Sequence, residues 1–98
     1  MAAGRAARGE VILAKVLMYL TAACPFCQSA DRLLRDKGAE VEKIRVDLEP
    51  ARRAEMMQKS GRRTVPQIWI GDRHVGGCDD LYALEREGKL DPLLKAIA

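Results

Sequence analysis

Two cysteines with two residues between them, Cys24-Pro25-Phe26-Cys27, are the residues of this chain best suited to chemistry. Such a pair can be half of a metal clamp, a structural staple or a reactive dithiol. Pro25 suits the first position of a helix, where its missing N–H costs nothing. Phe26, Ala30, Leu33 and Leu34 then recur at helical spacing, so Cys24 falls at the N-cap and Cys27 in the first turn. The unpaired N–H groups and the helix dipole there point at the Cys24 sulfur. They favour thiolate over thiol by about 1–2 kcal/mol. Cys24 precedes the helix at the carboxyl end of a strand, where α/β sites collect, so it is expected to be exposed. Cys27 is expected to be more buried. Cys24 is then the attacking thiol and Cys27 the resolving one.

The metal reading needs two further ligands. His74 and Cys78, spaced H-x-x-x-C, could supply them, but the stretch from Cys27 to His74 is longer than small zinc modules use. Zinc knuckles also rarely carry proline inside the pair with an amphipathic helix directly after it. His74 alone reads as a hairpin residue and Cys78 alone as a small packing residue. No metal is expected. The odd count of three cysteines argues against a secreted disulfide scaffold and for a cytoplasmic setting.

The elements that must hold the pair are legible around it. "KVLMYL" (Lys15 to Leu20) is a short apolar run, hence a buried strand. Gly38 after Lys37 ends the cysteine helix. "VEKIRVDL" (Val41 to Leu48) alternates as a second strand. "PARRAEMMQKSG" has proline at its head and glycine at its tail and reads as a helix. "VPQIWIGDRHVGG" reads as two strands around a Gly71-Asp72 turn. "CDDLYALEREG" is a helix with acids in its first turn, and Asp91-Pro92 opens a last helical piece. The order β-α-β-α-β-β-α gives a parallel pair with a right-handed crossover and an antiparallel hairpin. That is an α/β fold, a small mixed four-stranded sheet flanked by helices. Residues 1–14 are expected to be a loosely ordered arm and residues 15–98 the domain.

Composition excludes several classes. A chain of 98 residues with 48% hydrophobic and 32% charged residues is an ordinary single globular domain. The net charge of +3 is too slight to indicate nucleic acid. It suits a small anionic ligand where arginines converge, and Arg52, Arg53, Arg62 and Arg63 are candidates, although a solvated surface explains them equally well. No stretch approaches the length of a membrane span. Arg5 and Arg8 ahead of an apolar run loosely resemble a secretion signal. Lys15 breaks that run, however, and Thr21 poorly suits a lipoprotein cleavage box.

"CPFC", "TVPQIWIG" and "GGCDDLYALEREGKLDPLL", in this order, resemble a dithiol glutaredoxin of the small bacterial type from about Lys15 onward. Thioredoxin itself is disfavoured, because its C-G-P-C after a tryptophan is absent. The resemblance implies a thioredoxin-like fold and glutathione-dependent thiol–disulfide exchange in the cytoplasm. Glutathione would be the cosubstrate, with no tightly bound cofactor. The partners would be glutathionylated or disulfide-containing proteins, and the chain a monomer without nucleic-acid or membrane binding. It assigns Cys24 as nucleophile and Cys27 as resolving cysteine of a redox disulfide. It implies a cis Val65-Pro66 bond that sets the Val65 backbone beside Cys24, to pair strand-like with the cysteine of glutathione. "GGCDD" matches the site for the γ-glutamyl end. There Gly76 and Gly77 let the chain turn closely. The N–H groups of Cys78 and Asp79 take the carboxylate, and Asp79 or Asp80 holds the ammonium. Thr64 lines the site, and Arg53, aided by Arg62 or Arg63, meets the glycine carboxylate.

Thr21, Pro25 and Phe26 form the wall. Two of these depart from the family pattern: Phe26 stands where tyrosine is usual, and Thr21 where lysine is frequent. The apolar wall is kept without its hydroxyl, and one positive charge near Cys24 is absent. Some members of the family hold a [2Fe–2S] cluster between two chains. Pro25, which stiffens the loop beside the nucleophile, argues against that here.

Overall fold

The computed structural model describes residues 11–97. Their elements are β1 (Val11–Leu13), β2 (Val16–Leu20), α1 (Pro25–Asp36), β3 (Val41–Arg45) and α2 (Pro50–Ser60), followed by β4 (Gln67–Ile70), β5 (Arg73–Gly76), α3 (Cys78–Arg86), α4 (Leu90–Leu94) and β6 (Lys95–Ile97). The main sheet has four strands in the order β3-β2-β4-β5. β2 runs parallel to β3, with Val16 opposite Val41 and Leu20 opposite Arg45, and antiparallel to β4. The crossover through α1 and the β4–β5 hairpin around Gly71 are those the element order requires.

Alternation along β2 sorts its side chains into two cores. Val16 and Met18 face Ala30 and Leu34 of α1, Leu81 of α3, and Leu90 and Leu94 of α4. Tyr19 faces the other way, onto Ile44, Trp69 and Met56 of α2. The result is three layers, with α1 and α3 on one face of the sheet and α2 on the other. β4 is buried at every position, as a strand covered on both faces must be. On the α2 face the Tyr19 hydroxyl donates to Glu55 and receives Lys59 Nζ at 3.2 Å. Burial first, then the bond to Glu55, pushes the Tyr19 hydroxyl up to about 12.

Two boundaries differ from the sequence reading. The strand expected through Leu48 ends at Arg45. Leu48 N–H turns back to Arg45 O at 3.2 Å, and Arg45 grips Asp47 with two bonds of 2.7 Å each. The alternating pattern therefore continues into a turn, and Leu48 is exposed. Of the arm expected over residues 1–14, positions 1–10 lie outside the described residues. Val11–Leu13 is no loose arm: it pairs antiparallel with Lys95–Ile97 as a separate two-stranded sheet. Local pattern could not show this, because the partner strand lies at the far end of the sequence. Among the described residues no helix is long and apolar enough to cross a membrane.

Candidate active site

Cys24 is the N-cap of α1, with extended backbone angles (φ −127°, ψ 101°) and Pro25 directly after it. Its sulfur accepts the Cys27 N–H at 3.1 Å, so one of the unpaired donors of the helix start ends on the Cys24 sulfur. Cys24 and Cys27 are joined as a disulfide, with Cα atoms 5.2 Å apart. Cys27 lies deeper, as expected, at 1% exposure. Cys24 is not the exposed residue its position suggested; it is 7% exposed. In the disulfide its sulfur is turned back over the first helical turn and lies 3.9 Å from Val65 O. The Val65-Pro66 bond is cis.

A second helix start faces the first. Gly77 is the N-cap of α3, and Asp80, at its third position, accepts Gly77 N–H at 2.9 Å. This is the carboxylate half of a capping box, glycine having no side chain to complete the other half. The N–H groups of Cys78 and Asp79 have no partner within the helix and suit an anion. Asp80 also receives Arg62 Nη1 at 2.8 Å. The Arg62 guanidinium first, then the Gly77 N–H, holds the Asp80 carboxyl below the usual carboxylate range. Gly76 takes φ +114°, and a Cβ there would collide with the Asp80 carboxylate, so glycine is required for this close approach.

Between the two helix starts lies an open groove of about 310 Å³. Thr64, Val65, Pro66, Gly77, Cys78, Asp79 and Asp80 all line it, and Phe26 forms a wall. Phe26 is 63% exposed, an apolar surface beside the dithiol. The arginine of the groove is Arg62. Arg53 does not line it but donates to Arg63 O at 3.2 Å, bracing the loop that leads to Thr64. Pro25 lies between the two cysteines and Thr21 three residues ahead of Cys24, and neither lines the groove.

Cys78 packs in the core below, and burial, then Asp79, pushes its thiol up. His74 contacts Gln67 rather than the cysteines. Burial, then Arg62, lowers its pKa, while Asp80 raises it. Among the described residues no group of three or more histidines, cysteines and acids is placed to hold a metal ion.

The sequence reading missed Asp47. It lies at the turn after β3 and accepts the Ala22 N–H at 3.3 Å, which ties down the loop ahead of Cys24. The Arg45 hydrogen bonds, foremost among the causes, lower its carboxyl to about 2. A carboxyl depressed on folding stabilises above its ordinary value of about 3.8 and loses that contribution as pH falls through about 2. Asp47→Asn is therefore expected to lower the urea midpoint at pH 7. The gap to the unsubstituted chain should close as pH falls from about 4 to about 2. A gap of constant size across that range would remove the ionised carboxylate from the account.

Residues 16–75 match the glutaredoxin family. A protein called Glutaredoxin from Pseudomonas aeruginosa is 58% identical over 81 residues, covering 83% of this chain and 96% of the relative. The solution structure of glutaredoxin from Brucella melitensis superposes with a TM-score of 0.75 at 56% identity, covering 84% of this chain and 89% of the other. The crystal structure of a buckwheat glutaredoxin–glutathione complex superposes with a TM-score of 0.76 at 35% identity, covering 81% of this chain and 74% of that one. The fold of these structures and of this chain is the same thioredoxin-like α/β arrangement.

Proposed function

Because the chain belongs to the glutaredoxin family of thiol–disulfide oxidoreductases, we propose that glutathione is its cosubstrate and that the groove between the two helix starts holds it. The observation that carries this reading is the pairing of a helix-capping sulfur with a second helix start whose N–H groups and acid match the two ends of an amino acid. The Cys78 and Asp79 N–H groups take the γ-glutamyl carboxylate, and Asp80 takes the ammonium, sharing it with Arg62. Val65 pairs with the cysteine backbone of glutathione, and Phe26 covers the reacting sulfurs. Arg62, with Thr64, meets the glycine carboxylate. The buckwheat structure, a glutaredoxin–glutathione complex, supports the ligand.

The chemistry is thiolate exchange. The Cys24 thiolate attacks the glutathione sulfur of a protein–glutathione mixed disulfide. A Cys24–glutathione bond forms, the old S–S bond breaks, and the protein leaves as thiolate and takes a proton. A second glutathione thiolate then attacks the bound glutathione sulfur, releases oxidised glutathione and restores Cys24. With a protein disulfide, Cys24 forms the mixed disulfide and Cys27 displaces the partner. The resulting Cys24–Cys27 disulfide is the oxidised state described above. Two glutathiones return it to the dithiol. The same reading takes glutathionylated and disulfide-bonded proteins as partners, the cytoplasm as compartment, a monomer as the working unit and no tightly held cofactor.

The test is a coupled assay in which reduction of a glutathionylated peptide is followed with and without glutathione. Turnover that needs glutathione is expected. Equal turnover with an unrelated thiol at the same concentration would remove glutathione from the reading.

The lysine absent at position 21 provides a second check. Thr21→Lys would bring an ammonium near both Cys24 and the ligand, and a partly exposed pair is worth about 0.2–1 kcal/mol. Glutathione affinity or the thiolate fraction at neutral pH should rise by up to about fivefold, and the gain should shrink in high salt. No change in either quantity at low salt would place position 21 away from the site.

A further inference from the structure

Gln67 is a polar side chain with 0% exposure. It opens β4, a strand otherwise made of Ile68, Trp69 and Ile70. A buried amide must find partners for both its ends, and each bond fixes the next. Gln67 Nε2 lies 3.1 Å from Thr64 O and 3.3 Å from Thr64 Oγ1, and Gln67 Oε1 lies 2.8 Å from His74 Nε2. The orientation of the amide follows from Thr64 O, which can only accept, so the NH2 end must face it. The Oε1 end then faces His74, whose Nε2 must carry the proton. The same logic reaches the Thr64 hydroxyl. An amide nitrogen does not accept, so Thr64 Oγ1 accepts from it. The hydroxyl hydrogen is left to point elsewhere, and Thr64 is exposed and lines the groove.

We propose that Gln67 and His74 are positioning residues that hold the Thr64 hydroxyl as a hydrogen-bond donor to a carboxylate of the glutathionyl group in the groove. This deepens the proposed function and rests on it. The fold secures each link. Ile68 pairs with Gly76 but Trp69 pairs with His74, so Val75 is an extra residue and β5 carries a bulge there. The bulge sets His74 opposite Trp69 while Gly76 still turns toward Asp80. The His74 ring stacks on Trp69 with centroids 4.5 Å apart, and the Lys59 ammonium lies over the other partner of the stack, 4.7 Å from the Trp69 centroid. The imidazole is thus held at one angle behind Gln67. Neither Gln67 nor His74 lines the groove.

Gln67→Met is the sharpest probe, because it removes the amide donor that makes Thr64 Oγ1 an acceptor and leaves the hydroxyl hydrogen free to turn away from the groove. KM for a glutathionylated peptide should rise about fivefold, with kcat within about twofold. His74→Phe, which keeps the stack on Trp69 but leaves Gln67 Oε1 unpaired, should raise it less. In a Thr64→Val background Gln67→Met should add almost nothing, since the hydroxyl it acts through is gone. A peptide carrying a cysteamine disulfide, which has no carboxylate on the half that Cys24 takes, should be turned over unchanged by the Gln67 and His74 variants. If Gln67→Met fails to fold, the His74→Phe value decides. An unchanged KM in the folded variants, or equal losses on both peptides, overturns the positioning role while leaving glutathione as cosubstrate. Loss of glutathione dependence in the unsubstituted chain overturns both.

Discussion

Cys24→Ser should reduce every exchange activity to the uncatalysed background. On the proposed reading the nucleophile is the thiolate that Cys24 supplies at the cap of α1. A serine hydroxyl does not ionise at neutral pH and cannot form a disulfide. The loss should be chemical and not structural, because serine is itself among the preferred N-cap residues. Its oxygen can accept the Cys27 N–H that the sulfur accepts now. An unchanged urea midpoint, measured against the unsubstituted chain in its reduced form, alongside lost turnover is therefore the expected pair of results. Substantial residual turnover would move the nucleophile elsewhere. Cys78, the one free cysteine among the described residues, is a poor substitute: it is buried, and burial pushes its thiol up.

Cys27→Ser should divide the two reactions. On the proposed reading, removal of glutathione from a protein needs no second thiol, since external glutathione resolves the Cys24 intermediate. That activity should persist, and it should rise where the Cys24–Cys27 disulfide would otherwise form as a dead end. Reduction of a protein disulfide is different. The bound partner is large, and Cys27, one helical turn away, acts at a very high effective concentration. Without it the mixed disulfide between Cys24 and the partner should accumulate, and turnover should fall by a hundredfold or more, as the loss of an intramolecular step implies on the order of 10² or greater. One glutathionylated peptide and one protein disulfide, assayed with the same variant, check the division. A fall of both activities to background would give Cys27 a duty beyond resolution.

What could be read from the sequence was local. Pro25 behind Cys24, and proline and glycine around α2, mark helix ends by chemistry that acts within one turn. The cap at Cys24 and the helix that begins at Cys78 are therefore where the sequence reading put them. The resemblance supplied the residues of the groove. What escaped depends on contacts between distant parts of the chain. Nothing near Val11 announces that Lys95–Ile97 will pair with it. Arg53 and Arg62 are equivalent in composition, and only the path of the loop brings Arg62 to Asp80 and sends Arg53 to Arg63 O. Asp47 looked like the end of a strand, yet it ties the loop before the nucleophile. Gln67 did leave a trace: a polar residue opening an apolar strand. Its meaning needed His74 and Thr64 on either side of it.

On the proposed reading Cys24 carries glutathione in the groove between α1 and α3. This is tested most directly by incubating the Cys27→Ser variant with oxidised glutathione and mapping the adduct by mass spectrometry under non-reducing conditions. With the resolving thiol gone, the Cys24–glutathione intermediate can leave only by a further external thiol. One glutathione per chain, held on Cys24 and released by added glutathione, is the predicted result. An unmodified Cys24, or an adduct confined to Cys78, would contradict the account.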